Sequence, residues 1–167
     1  MSYLQYTTTA LEDWVSDFYK ELKINHPIQI NEEFISWSNR IFLHRKPRYG
    51  NYEIVGQYRG ITVDSRESLE KQREMFFHEL CHLLRHTGIQ SMMHTAFREL
   101  QERDAEHFKR YAAIPFHMLK YIDIQDPYVI DQMVDLFKVT PELCELRLLQ
   151  IKNRMNMYKV CNVAGGF

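Results

Sequence analysis

Leu11, Trp14, Val15, Phe18, Tyr19 and Leu22 recur at helical spacing, and Thr9 followed by Glu12 is a capping-box start, so a first helix is predicted over residues 10–22. Pro27 then forbids continuation. The next segment changes period. Ile, Val, Phe and Tyr come in short runs broken by Pro47, Gly50, Asn51 and Gly60, which predicts a small, mainly antiparallel sheet with strands near 27–30, 40–45, 52–57 and 60–63 and a loop at 46–51. Helical period returns over 65–88, with Leu69, Phe76, Leu80, Leu83 and Leu84 on one side, an Asp64/Glu67 capping box at its start and Gly88 at its close. After a connection at 88–94, Ala96, Phe97, Leu100, Ala105, Phe108, Tyr111 and Ala112 keep helical spacing up to Pro115. Asp126 before Pro127 and Thr140 before Pro141 each join an N-cap to a first-turn proline, predicting helices over 128–137 and 141–155; the glycine-containing tail 160–167 should fray.

The side of the 65–88 helix away from its apolar face carries His78, Glu79 and His82, an HExxH set. Residues four apart on a helix differ by about 40° around the axis, so both imidazoles address one point and form a bidentate metal clamp. Glu79 lies about 100° from His78, beside the clamp, where a carboxylate can act as general base on an activated water. A catalytic zinc site takes three protein ligands and keeps one position open. The following helix offers the third: Glu99, Glu102 and Glu106 cluster on the face opposite its apolar residues, and twenty residues from His82 to Glu102 leave room for a turn and a return. The expected site is His78, His82 and Glu102 around one Zn²⁺ per chain, with Mn²⁺ the other metal such a site accepts, and with Glu106 placed to take the outer N–H of a ligating imidazole. Asp104 falls on the apolar side in this phasing, without a physical account.

Composition narrows the function classes. A chain of 167 residues, 45% hydrophobic and 26% charged, is one globular domain or one with a small appendage. No apolar run is long enough for a membrane span and no secretory signal is visible at the N-terminus, so a cytoplasmic location is expected. Cys81, Cys144 and Cys161 are an odd number without paired spacing, which fits reduced thiols. Arg40, His44, Arg45, Lys46, Arg48 and Arg59, interleaved with Phe42, Tyr49, Tyr52 and Tyr58, make a basic aromatic stretch; with a net charge of −1 a solvated strand face is the favoured reading over a nucleic-acid site.

Residues 61–115 resemble the ImmA/IrrE-type metallopeptidases of bacteria and their mobile elements. The likeness rests on the strand Ile61, Thr62, Val63, the HELxH pair, and Glu102, Arg103, Asp104, Ala105, Glu106, His107, Phe108 running to Ile114 and Pro115, where the family reads approximately ExEANxFAxxLLxP. The resemblance implies zinc ligation by His78, His82 and Glu102 and catalysis by Glu79, in agreement with the spacing argument. Cys81 stands where the family usually has glycine, Phe77 where it has alanine, and Lys109 and Arg110 where it has paired alanines. A thiol beside the metal is either an extra ligand, a redox brake or, the favoured reading, a small packing residue.

The expected fold is therefore α+β and zincin-like, with a thermolysin-like His₂Glu site: an N-terminal helix, a small sheet, the HExxH helix, a Glu-bearing second helix and a C-terminal helical pair. Residues 1–122 would form the metallopeptidase domain, and 123–167 a helical subdomain packed on it rather than independent. The run Met133 to Glu142 looks like the family's helix-turn-helix-like segment, but five basic against four acidic residues from Tyr128 to Lys159 argue against direct DNA binding. The expected function is a zinc endopeptidase with a narrow protein substrate; the resemblance implies a helix-turn-helix repressor of a phage or mobile element. The alternatives are a zinc-stabilised regulator acting without proteolysis and, more weakly, a small-molecule amidase. His86, His94, His107 and Tyr111 are all candidates for polarising the substrate carbonyl, and the strand ending at Val63 is expected to pair with the substrate backbone.

Overall fold

The computed structural model describes residues 6–86 and 94–164. Helix α1, Ala10–Glu21, opens with the expected reciprocal cap: Thr9 Oγ1 accepts the Glu12 N–H, and the Glu12 carboxylate accepts the Thr9 N–H. Val15, Phe18 and Tyr19 are its buried stripe. The expected strand at 27–30 is instead a 3-10 turn, Pro27–Gln29, because His26 Nδ1 takes the Ile28 N–H and Gln29 Oε1 takes those of Asn25 and His26. A short helix α2, Glu32–Ser38, follows unannounced. Asn31 caps it, and its two turns are too few for a hydrophobic period to register.

The sheet contains β1 (Phe42–Lys46), β2 (Asn51–Val55) and β3 (Tyr58–Asp64) in the order β1-β3-β2. It is mixed rather than mainly antiparallel: β1 runs parallel to β3, with Phe42 opposite Gly60, and β2 antiparallel, with Tyr52 opposite Ile61. Gly56, at φ 59°, makes the tight β2–β3 turn, and this hairpin docks its second strand beside β1. Ile61 and Val63 on the central strand are fully buried. Both edges of β3 are thus taken, which removes the strand ending at Val63 as a template for a substrate backbone. Three of the basic side chains of this region are engaged within the molecule, while Arg40 and Lys46 are exposed. Arg45 bonds Gln72 and Glu33, Arg48 bonds Thr62, and Arg59 bonds the carbonyls of Asn39 and Leu83.

Helix α3, Leu69–Arg85, is capped by Ser68, not by Asp64. Asp64 ends β3 and holds the backbone and guanidinium of Arg66. The expected closing Gly88 lies outside the described residues. Phe76, Phe77, Leu80 and Leu83 form the buried face of α3, whereas Leu69 is exposed. Helix α4, Thr95–Ala113, packs along α3 and buries Ala105, Phe108, Tyr111 and Ala112; Phe97 and Leu100 near its start are exposed. A 3-10 segment, Phe116–Tyr121, leads to α5 (Val129–Phe137) and α6 (Pro141–Ala164). Helix α6 continues to Ala164, through the first part of the tail expected to fray; residues 165–167 lie outside the described residues.

The last two helices are fastened to the front of the molecule. Glu74 on α3 accepts both the backbone N–H and the hydroxyl of Thr140, Arg73 donates to the Phe137 carbonyl and to Glu32, and buried Arg147 on α6 pairs with buried Glu12 on α1 at 2.8 Å. No helix among the described residues is long and apolar enough to cross a membrane.

Candidate metal centre

Helix geometry alone sets His78 and His82 on one side of α3, and the packing of α4 against that side brings Glu102 to them. His78 Nε2 lies 3.3 Å from His82 Nε2 and 3.2 Å from Glu102 Oε2, and His82 Nε2 lies 3.6 Å from Glu102 Oε1. A tetrahedral ion with bonds of about 2.0–2.1 Å separates its ligand atoms by roughly 3.3–3.4 Å, so two imidazole nitrogens and a carboxylate oxygen at these spacings fit a divalent zinc-like cation. The donor set offers one ligand atom per residue, all within 4.8 Å of one another.

Burial tunes the two histidines differently. His82 is almost wholly buried, which pushes its imidazole down to about 4, with the neighbouring His78 and His86 charges acting the same way. It is therefore neutral at physiological pH, the form a metal requires. At His78 burial also disfavours the charged form, but the hydrogen bond to Glu106 and the charges of Glu79, Glu106 and Glu102 outweigh it and hold the ring above its ordinary value. His78 Nδ1 lies 3.0 Å from Glu106 Oε1, and Lys109 Nζ lies 2.7 Å from the other oxygen of that carboxylate. With Nδ1–H directed at Glu106, Nε2 of His78 keeps its lone pair toward Glu102 and His82.

Glu79 is partly buried beside this cluster. Desolvation lifts its carboxyl to about 7; the Glu102 charge adds to the rise, and His78 and the backbone N–H of Tyr52 oppose it. A carboxylate that titrates near neutrality is suited to accept and return a proton. Tyr52 on β2 also lays its ring on His82, centroids 5.0 Å apart and planes 18° from parallel. This contact was not foreseen from sequence, because it depends on β2 forming the sheet edge next to α3.

Asp104 and His86 were not anticipated in any structural role together. Asp104 faces α3 rather than the core, accepting from Arg85 Nε at 3.1 Å and lying 3.0 Å from His86 Nε2. Cys81 is fully buried beneath them, 3.7 Å from Asp104 Oδ2, and burial pushes its thiol well above the usual range. The available signal was spacing: His86 stands four residues after His82, on the same helix side. Of the other candidates near the site, His94 caps α4 by accepting the Ala96 N–H. Tyr111 is buried under Arg147 and accepts from Gln150. His107 lies against Tyr111, with ring centroids 6.3 Å apart.

The model of the IrrE N-terminal-like domain, peptidase family M78, matches residues 26–149. Two proteins of Bacillus subtilis strain 168 are similar over most of the chain. The uncharacterized protein YqaB is 34% identical over 149 residues, covering 87% of this chain and 86% of its own length. The phage-like element PBSX protein XkdA is 32% identical over 148 residues, covering 86% of this chain and 74% of its own. No solved structure matches.

Proposed function

The chain belongs to peptidase family M78, with an IrrE N-terminal-like domain, and we propose that it is a zinc-dependent endopeptidase whose substrate is a specific protein. Metallopeptidase chemistry is the property of the family. The finer reading is supported chiefly by one observation: three donors of the His₂Glu type at tetrahedral edge spacing, with a carboxylate titrating near neutrality beside them.

In this reading His78, His82 and Glu102 hold one Zn²⁺. A bound zinc ion supplies Lewis acidity that activates water and polarises a peptide carbonyl. Glu79 takes the proton of the attacking water and passes it to the leaving amine. Glu106 orients His78. The substrate backbone adds to the outer edge of β2, the strand whose Tyr52 contacts both Glu79 and His82. Similarity to a protein of a phage-like element supports a substrate in that setting, a helix-turn-helix repressor of a phage or mobile element.

The non-proteolytic alternative, a zinc-stabilised regulator that binds DNA or a partner protein, finds little support in the C-terminal helices. The start of α6, where a groove-reading helix would need to be free, is fixed to α3 through Thr140 and Glu74. Glu79→Gln tests the proposal. The variant should fold and take up zinc as wild type does while cleavage of a repressor encoded beside the gene drops by at least 10²-fold, the scale of a lost general base. Biological function retained in that variant would remove proteolysis from the account.

A further inference from the structure

Three donors converge on one carboxylate oxygen behind the His78, His82 and Glu102 cluster. Asp104 Oδ2 lies 3.0 Å from His86 Nε2, 3.1 Å from Arg85 Nε and 3.7 Å from Cys81 Sγ. On its far side His86 presents Nδ1 to His82 Nδ1 at 2.9 Å. Two ring nitrogens at that separation share one proton: one donates and the other accepts. We propose that Asp104, acting through His86, fixes His82 in the tautomer protonated on Nδ1 and so turns the Nε2 lone pair toward the metal. Asp104 and His86 are positioning residues, joined to His82 as a carboxylate, imidazole, imidazole relay. The proposal rests on the reading of His78, His82 and Glu102 as the metal ligands.

The directions of the bonds follow from what each group can do. Asp104, with the Arg85 guanidinium beside it, is an acceptor, so His86 carries its proton on Nε2. A neutral His86 then has a bare Nδ1, and the proton between the two Nδ1 atoms belongs to His82. The reverse order would place a lone pair of His86 against the Asp104 carboxylate and a proton on His82 Nε2, the nitrogen that faces His78 and Glu102. A doubly protonated His86 would force the same blocked state on His82. Only one arrangement satisfies both Asp104 and a cation at His82 Nε2. His78 reaches the equivalent state directly through Glu106; His82, almost wholly buried, reaches it through the imidazole of His86, the residue that caps the C-terminus of α3.

Cys81, His86 and Asp104 are themselves close enough to hold a cation. The competing reading is disfavoured because Arg85 already places a positive charge on Asp104 Oδ2, and because the buried Cys81 is positioned as a thiol donating to that oxygen.

The test begins with wild-type protein carrying one equivalent of zinc and long-range ¹H–¹⁵N correlation of its histidine rings. The expected result is His82 protonated on Nδ1, His86 protonated on Nε2, and a scalar coupling between the two Nδ1 nitrogens across their hydrogen bond. Chelator competition should then show Asp104→Ala and His86→Leu each weakening zinc binding by about 10–100-fold, the usual effect of losing an outer partner. The double variant should be no weaker than the weaker single one, since both break the same relay. A missing coupling, or Asp104→Ala that binds zinc as wild type does, overturns the relay and leaves the ligand set standing. Two zinc ions per chain also overturn it, by giving His86 Nε2 to a second ion. A wild-type protein that takes up no zinc overturns the ligand set, and the relay with it.

Discussion

A divalent cation needs neutral imidazole and ionised carboxylate at the same pH, and in the proposed site the two histidines would meet that need by different means. His82 is kept neutral by burial, whereas His78, facing three carboxylates, depends on Glu106 to direct its proton away from the cluster. Glu102→Ala removes the only carboxylate of the set, so zinc content after dialysis should fall from about one per chain to a small fraction, with the helices intact by circular dichroism. Cys81→Ala should keep full zinc content, because the thiol touches Asp104 rather than the cluster. Its cost should be about 1–2 kcal/mol in urea unfolding, for lost packing at a fully buried position. At this scale the sequence was informative wherever a single helix determines geometry: His78, Glu79 and His82 needed only 3.6 residues per turn. Asp104 was opaque because its partners, Arg85 and His86, are the last residue and the C-cap of another helix, and no periodicity within α4 reports that contact.

Among the elements, the longer helices were legible because their apolar stripes span three or more turns and their caps are local chemistry. The exceptions were decided by bonds between short-range side chains and backbone: the reciprocal His26 and Gln29 cap converts an apolar run into a 3-10 turn, and Ser68 displaces Asp64 as the start of α3. The other three expected strands were recovered to within a few residues, but the parallel pairing of β1 with β3 is a long-range choice that alternation does not encode. Thr140 joins two elements at once, capping α6 and satisfying Glu74 on α3. Thr140→Val keeps the volume and deletes the hydroxyl, leaving a buried carboxylate oxygen short of a donor. Stability should drop by about 2–3 kcal/mol, seen as a lower urea midpoint with an unchanged slope.

Taken as a whole molecule, the first and last described helices are tied by a charge pair under the core. Arg147 is fully buried, donates to the Ile114 carbonyl, lies over the Tyr111 ring and pairs with Glu12, which also accepts from Tyr6. Burial alone would raise the Glu12 carboxyl, but Arg147 and the Thr9 N–H more than offset it and hold the group below its ordinary value of 4.5. A depressed carboxyl contributes stability that is present above the unfolded value and is lost as pH falls through the folded one. Wild-type stability should therefore decline below about pH 4.5, and Glu12→Gln should flatten that decline. The same variant should cost about 3–5 kcal/mol at neutral pH, because it strands a buried guanidinium. This pair, with Glu74 and Arg73, fastens the C-terminal helices to the helices that carry Glu12 and the His78 and His82 pair.

The most direct test of the centre itself is zinc K-edge X-ray absorption of protein loaded with one equivalent of the metal. The account predicts a first shell of nitrogen and oxygen only, at about 2.0–2.2 Å, with multiple scattering from two imidazoles. A sulfur scatterer at about 2.3 Å, or a single imidazole, would place the ion on Cys81 or elsewhere and contradict it.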